Sequence, residues 1–227
     1  MMDDFSKMSD DWIKNAVERN PILDMKDGTF RTCPVRGSFV YLLGKSKPSK
    51  DRPNGVYSTM LLFPKCADLS VLHAEAKLVE YARWPENDPT GPRYDPRKVT
   101  KVKSPFLDGA EILKYDGFHE GQTFIRVTTG SNGPGGRNGE KRIPVVDRKN
   151  MVITDPDLVY PGVWMIANIN CYAYAGDTSK GVTWGVNMVM IVADDQRLDG
   201  AVTADPVRGF AGVNIDAGDV DTTGLFD

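Results

Sequence analysis

Residues 160–192 read YPGVWMIANINCYAYAGDTSKGVTWGVNMVMIV, and their pattern decides the fold. Side chains of a strand alternate between its two faces. On that rule the stretch is two β-strands joined by a polar turn at 176–181. In the first strand, Val163, Met165, Ala167, Ile169, Cys171 and Ala173 form one apolar face. Trp164, Ile166, Asn168, Asn170, Tyr172 and Tyr174 form the other, a mixture of aromatics and amides. In the second strand, Val182, Trp184, Val186, Met188, Met190 and Val192 are expected on the apolar face, opposite Thr183, Gly185 and Asn187. One side of this hairpin packs into a core. The other presents flat rings and amides, a surface suited to contact.

Working outward, the strands on the N-terminal side are short. Residues 36–43 (RGSFVYLL), 56–63 (VYSTMLLF) and 118–129 (FHEGQTFIRVTT) each read as a strand region. In the last, Phe124, Arg126 and Thr128 share one face and Thr123, Ile125 and Val127 the other. Two helices are expected. The first covers 9–19, with Ser9 as cap, Asp10 and Asp11 at the positive end of the helix dipole, and Pro21 beyond its end. The second covers 67–83, with Leu69, Leu72, Ala76 and Val79 on one stripe.

Composition sets the bounds. A chain of 227 residues is long enough for one well-buried domain, or for one domain with appendages. Hydrophobic residues make up 41% and charged residues 26%, as in ordinary soluble proteins. The 22 glycines and 15 prolines favour short strands and turns. No run approaches the ~20 apolar residues of a membrane helix. The opening MMDDFSKMSDD has neither the basic nor the apolar region of a secretion signal. Cys33, Cys66 and Cys171 are odd in number and far apart, which predicts reduced thiols in a cytoplasm.

The net charge of −3 hides an asymmetry. Residues 194–227 carry eight acidic side chains against Arg197 and Arg208, and the body carries a net +3. That balance suits an anionic ligand and a tail able to compete for its site; a tail that only aids solubility is the other reading. The positive charge lies in loops. Lys45, Lys47, Lys50 and Arg52 follow the first strand, and Arg93, Arg97, Lys98, Lys101 and Lys103 lie in 86–104. Arg137, Lys141 and Arg142 lie in a glycine-rich stretch that follows the third strand.

Motifs for catalysis are missing. Gly44-Lys45-Ser46 lacks the earlier glycine of a phosphate loop, since position 39 is Phe39, and it runs into Pro48. The glycines of 130–139 fit no dinucleotide fingerprint. With His73 and His119 the only histidines, no zinc or nucleophile motif can be assembled. The chain is expected to be neither an enzyme nor the holder of a metal or cofactor.

The segments RGSFVYLL, GVYSTMLLFPK, FLDGAEILKYDGFHEGQTFIRV, VYPGVWMIANINCYAY and KGVTWGVNMVMIVADDQRLDG occur in an order that resembles the phage-encoded OB-fold single-stranded DNA-binding proteins. The resemblance covers roughly 36–200. It implies a mainly β protein, an OB-like five-stranded barrel with helical and loop insertions. The expected organisation is an N-terminal helical extension over 1–30, a DNA-binding domain over 31–200 and a flexible acidic tail over 201–227.

It also implies sequence-independent coating of single-stranded DNA in phage replication or recombination, within the host cytoplasm. Such binding needs a basic groove for the backbone and flat side chains on which bases stack. Tyr172, Tyr174 and Trp164 are the candidate platforms; the competing reading for Trp164 is a ring packed under a loop. Arg126, Arg137, Lys141, Arg142 and Lys180, joined by Lys45, Lys47 and Lys101, are the candidate phosphate contacts. The chain end, DAGDVDTTGLFD, is similar to the acidic, aromatic-tipped tails of replication single-strand binders. It has few consecutive acids and places Asp227 after Phe226. In that tail Asp216, Asp219, Asp221 and Asp227 would compete for the groove, and Leu225 and Phe226 would dock on a polymerase or helicase. A homodimer is a further implication. The rival readings are a β-rich phage virion or assembly protein, and a nuclease working through metal-bound carboxylates.

Overall fold

The computed structural model describes residues 8–48, 55–129, 142–176 and 178–199. Helix α1, Asp10–Arg19, starts where Ser9 caps it, its side chain accepting from Trp12 N–H at 3.2 Å. Two short strands follow, β1 (Leu23–Asp24) and β2 (Phe30–Arg31), then β3 (Val35–Tyr41) and β4 (Ser58–Leu62). Helix α2, Ser70–Arg83, begins three residues later than the spacing predicts, where the Asp68 carboxylate accepts from Ser70 N–H. After β5 (Phe106–Asp108) come β6 (Thr123–Thr128) and β7 (Val145–Val146). The decisive hairpin closes the order as β8 (Trp164–Ala175) and β9 (Lys180–Ala193).

Five of these strands form a closed ring. The antiparallel meander β3–β4–β6 joins β9 through a parallel pairing at Val127↔Trp184, β9 pairs with β8, and β8 returns to β3 at Val35↔Met165. This is the OB-type barrel that the segment order implies. The inward residues Val35, Leu61, Ile125, Val127, Met165, Ala167, Ile169, Trp184 and Val189 are all buried. Helix α2 buries Leu72 and Ala76 against the same core. A smaller cluster, Leu62, Phe118 and Phe124, lies on the other face of β4 and β6. Among the described residues, no helix is long and apolar enough to cross a membrane.

The structure corrects the hairpin's second strand. Pairing runs in register from Ala175↔Lys180 to Ile169↔Val186, then shifts so that Asn168 faces Met188. Asn187 is the extra residue of a β-bulge, which reverses the alternation beyond it. Val182, Trp184 and Val186 therefore face the core as expected, but Val189 takes the next core place. Met188, at 50% exposure, turns to the outer face instead. Met190 and Val192 line a cleft on the outer face beneath α1, beside Trp12 and Ala16.

Candidate nucleic-acid interface

The outer face of β8 and the start of β9 carries the candidate platforms. Tyr172 pairs across with Thr183 and Tyr174 with Gly181, and both rings are half-buried. Small partners leave room for large neighbours. A Cβ built on Gly185 would lie 2.8 Å from Asn170 Oδ1, and one built on Gly181 would strike the Tyr174 ring. Deeper along the face, Asn187 donates to Asn168 at 2.8 Å, and Asn168 donates to the Thr29 hydroxyl at 3.0 Å. This amide ladder fixes the outer surface below the two tyrosines.

Trp164 lies on the same face of β8, yet it is only 4% exposed. Its indole packs edge to face with Trp12 of α1, the ring centroids 5.6 Å apart, and its Nε1 donates to buried Asp195 at 2.7 Å. The alternation places the ring outward; the helix laid over it closes it off. Trp164 has no open face for a base. It leaves the set of candidate platforms as a correction, and the reading as a packed ring describes it.

The basic candidates fall into groups. Lys180 is exposed at the start of β9, where its carbonyl accepts from Lys103 N–H at 3.0 Å. That bond draws the 101–103 segment, with exposed Lys101, to the hairpin end that bears Tyr174. Arg126 is exposed on β6, opposite Met60. Lys45 and Lys47 lie in the loop after β3, where Lys45 Nζ is 5.9 Å from the centre of the Tyr57 ring. Arg142 is exposed ahead of β7. Arg137 and Lys141 lie outside the described residues, as do Asp216, Asp219, Asp221, Leu225, Phe226 and Asp227.

The meander wall holds aromatics that sequence reasoning did not single out. Between Ser38 and Tyr41 the pairing of β3 with β4 is irregular, and Phe39 takes a positive φ of 49°. Its ring packs edge to face with Tyr115 at 4.9 Å, and Lys114 Nζ sits 5.0 Å from the Tyr115 ring centre. Tyr41 and Tyr115 are 38% and 42% exposed. In OB barrels the face of the second and third strands, with the loops joining strands one to two and four to five, is the surface that takes oligonucleotides. Here those parts are β4, β6, the loop with Lys45 and Lys47, and the turn before Lys180. The signal available in the sequence was the pair of aromatics in RGSFVYLL.

Comparison with known proteins agrees with this architecture. The structure of the single-stranded DNA-binding protein of bacteriophage Enc34 in complex with ssDNA superposes with a TM-score of 0.56 at 20% identity, over 76% of this chain and 90% of that one. The single-stranded DNA-binding protein encoded by bacteriophage T7 superposes at 0.52 with 18% identity, over 85% of this chain and 97% of that one. At such identities the likeness is one of fold. No curated protein matches in sequence. A family model described as the ssDNA-binding protein of Enterobacter phage Enc34 matches residues 30–219. With all five barrel strands inside that match, the chain belongs to the Enc34-type family of phage single-stranded DNA-binding proteins.

Proposed function

We propose that this protein coats single-stranded DNA without regard to sequence, during phage DNA replication or recombination, and that it is not an enzyme. The observation that carries the reading is the hairpin end, where Tyr172 and Tyr174 stand on an outer barrel face beside Lys180 and Lys101. Bases of any identity stack on tyrosine, and lysines meet the backbone. Arg126, Lys45, Lys47 and Arg142 extend the cationic path, and Arg137 and Lys141 belong to it in the proposal. Each phosphate neutralised adds about −0.7 to the slope of log affinity against log salt.

The organisation we propose keeps 31–200 as the binding domain, 1–30 as an extension and 201–227 as an acidic tail. Asp216, Asp219, Asp221 and Asp227 compete with DNA for the basic path, and Leu225 and Phe226 engage a polymerase or helicase once released. The working site is the host cytoplasm, and the working form is a homodimer.

The experiment is fluorescence anisotropy of labelled oligo(dT), with labelled duplex as control, at two salt concentrations. Tight, salt-sensitive binding to the single strand and weak binding to the duplex is the expected result. No binding at low salt, with the tail present or removed, overturns the function.

A further inference from the structure

We infer that Tyr174, Gly181 and Lys103 form a single nucleotide subsite, in which the base lies on a ring seated by Gly181 and the adjoining phosphate meets Lys103. The inference rests on the single-stranded DNA reading above and adds two residues to it.

Tyr174 and Gly181 face each other directly across the hairpin. A Cβ built on Gly181 would lie 2.6 Å from both Cε1 and the hydroxyl oxygen of Tyr174, and 2.7 Å from Cζ. The ring therefore reaches across the strand and occupies the place of the missing side chain. Tyr174 stays only half-buried in that seat, which leaves ring surface for a ligand. The seat also limits the ring's rotamers before any base arrives, which lowers the entropy cost of stacking.

The next position across is Lys103. Its N–H donates to Lys180 O at 3.0 Å, and Val182 N–H donates to Lys103 O at 3.2 Å, so Lys103 pairs with Gly181 in a parallel bridge. Paired residues of adjacent strands project to the same face, and strands lie about 4.8 Å apart. The row thus reads Tyr174, Gly181, Lys103, an aromatic and a cation separated by a residue without a side chain. Lys103 is exposed and makes no ion pair among the described residues.

The segment bearing Lys103 is tied down. Buried Asn87 accepts from Thr100 N–H at 2.8 Å and donates to Thr100 O at 2.9 Å, and the Thr100 hydroxyl donates to Glu86 at 2.7 Å. Asn87 also donates to Glu80 of α2 at 2.9 Å. Val102 packs against the core between exposed Lys101 and Lys103. These bonds anchor the backbone that leads into Lys103.

The test titrates labelled oligo(dT) with the full-length chain and the variants Tyr174→Leu, Tyr174→Phe, Gly181→Ala, Gly181→Ala with Tyr174→Leu, and Lys103→Gln. Tyr174→Leu and Gly181→Ala are each expected to weaken binding about tenfold, within the range for loss of one stacked base. The double variant should be no weaker than Tyr174→Leu, and Tyr174→Phe should bind as the parent. Lys103→Gln should reduce the salt slope by about 0.7. Parent-like binding by Gly181→Ala beside a weakened Tyr174→Leu overturns the seat, as does additive loss in the double variant. Parent-like binding by Tyr174→Leu, or an unchanged slope for Lys103→Gln, overturns the subsite while leaving the function standing. A parent chain that does not bind overturns both. Circular dichroism of each variant separates lost folding from lost binding, and Tyr174→Phe against Tyr174→Leu tests the ring without touching the glycine.

Discussion

The indole N–H of Trp164 donates to the carboxylate of Asp195 at 2.7 Å, with both side chains buried. Arg36 stands 3.5 Å from the other carboxylate oxygen, and its guanidinium donates to the carbonyls of Gly162 and Gln196. Burial pulls the Arg36 pKa down while Asp195 opposes the shift. The end of β9 is thus fastened to β3 and β8. Asp195, which the charge pattern counts with the acidic end of the chain, is a structural residue instead.

Trp164→Phe should therefore lower stability and leave DNA binding alone. A hydrogen bond to a charged group contributes about 1.5–3 kcal/mol, and here its loss also strands a buried acceptor. Urea denaturation should show a loss of that size, and oligo(dT) affinity should stay within twofold. The reverse result, unchanged stability with binding weakened tenfold or more, would restore Trp164 as a stacking platform.

The two aromatic surfaces make separable predictions. Tyr172→Ala on the hairpin and Tyr41→Ala on the meander should each weaken oligo(dT) binding by about 1–3 kcal/mol if the strand crosses both. Loss confined to Tyr172→Ala would restrict the path to the hairpin face.

Thiol chemistry follows burial. Burial pushes the Cys33 and Cys171 thiols up to about 12, the latter with help from the nearby Glu75 carboxylate. At pH 8 both remain neutral and unreactive, because the thiolate is the nucleophile. Exposed Cys66 should take up one equivalent of a thiol reagent in the native protein. Mass spectrometry should find the label there, and all three cysteines labelled only after denaturation. Rapid native labelling of Cys33 would show that the core opens readily.

Deleting residues 214–227 removes Asp216, Asp219, Asp221 and Asp227. If these compete with DNA, affinity should rise most at low salt, where exposed charges are least screened. Equal affinity with and without the segment at every salt concentration would leave the tail no competitive role.

The hairpin was legible because its alternation is strong, and the barrel only through the family resemblance that the order of the segments carries. What escaped was local geometry. The bulge at Asn187 moves Met188 outward and Val189 inward without any change in hydrophobicity to announce it. The face of Trp164 followed from period two, but its burial depends on Trp12, some 150 residues earlier in the chain. Likewise the irregularity at Phe39 brings its ring to Tyr115, a contact that neither local sequence contains. Lys101 could be placed in a basic loop but not beside Lys180, since a backbone bond from Lys103 makes that connection.

Barrel closure pairs Val35 with Met165, and among the described residues the other strand paired with β3 is β4. One seam of the ring therefore joins segments made far apart in time on the ribosome. Until β8 emerges, the β3–β4–β6 meander is an open sheet whose β3 edge is unpaired, the form of β-structure most exposed to pairing with other chains. Contacts of such long sequence separation also put folding in the slow range, milliseconds to seconds, for β-rich domains. A nascent chain stopped before residue 165 lacks the second partner of its first barrel strand and has no route to a closed core.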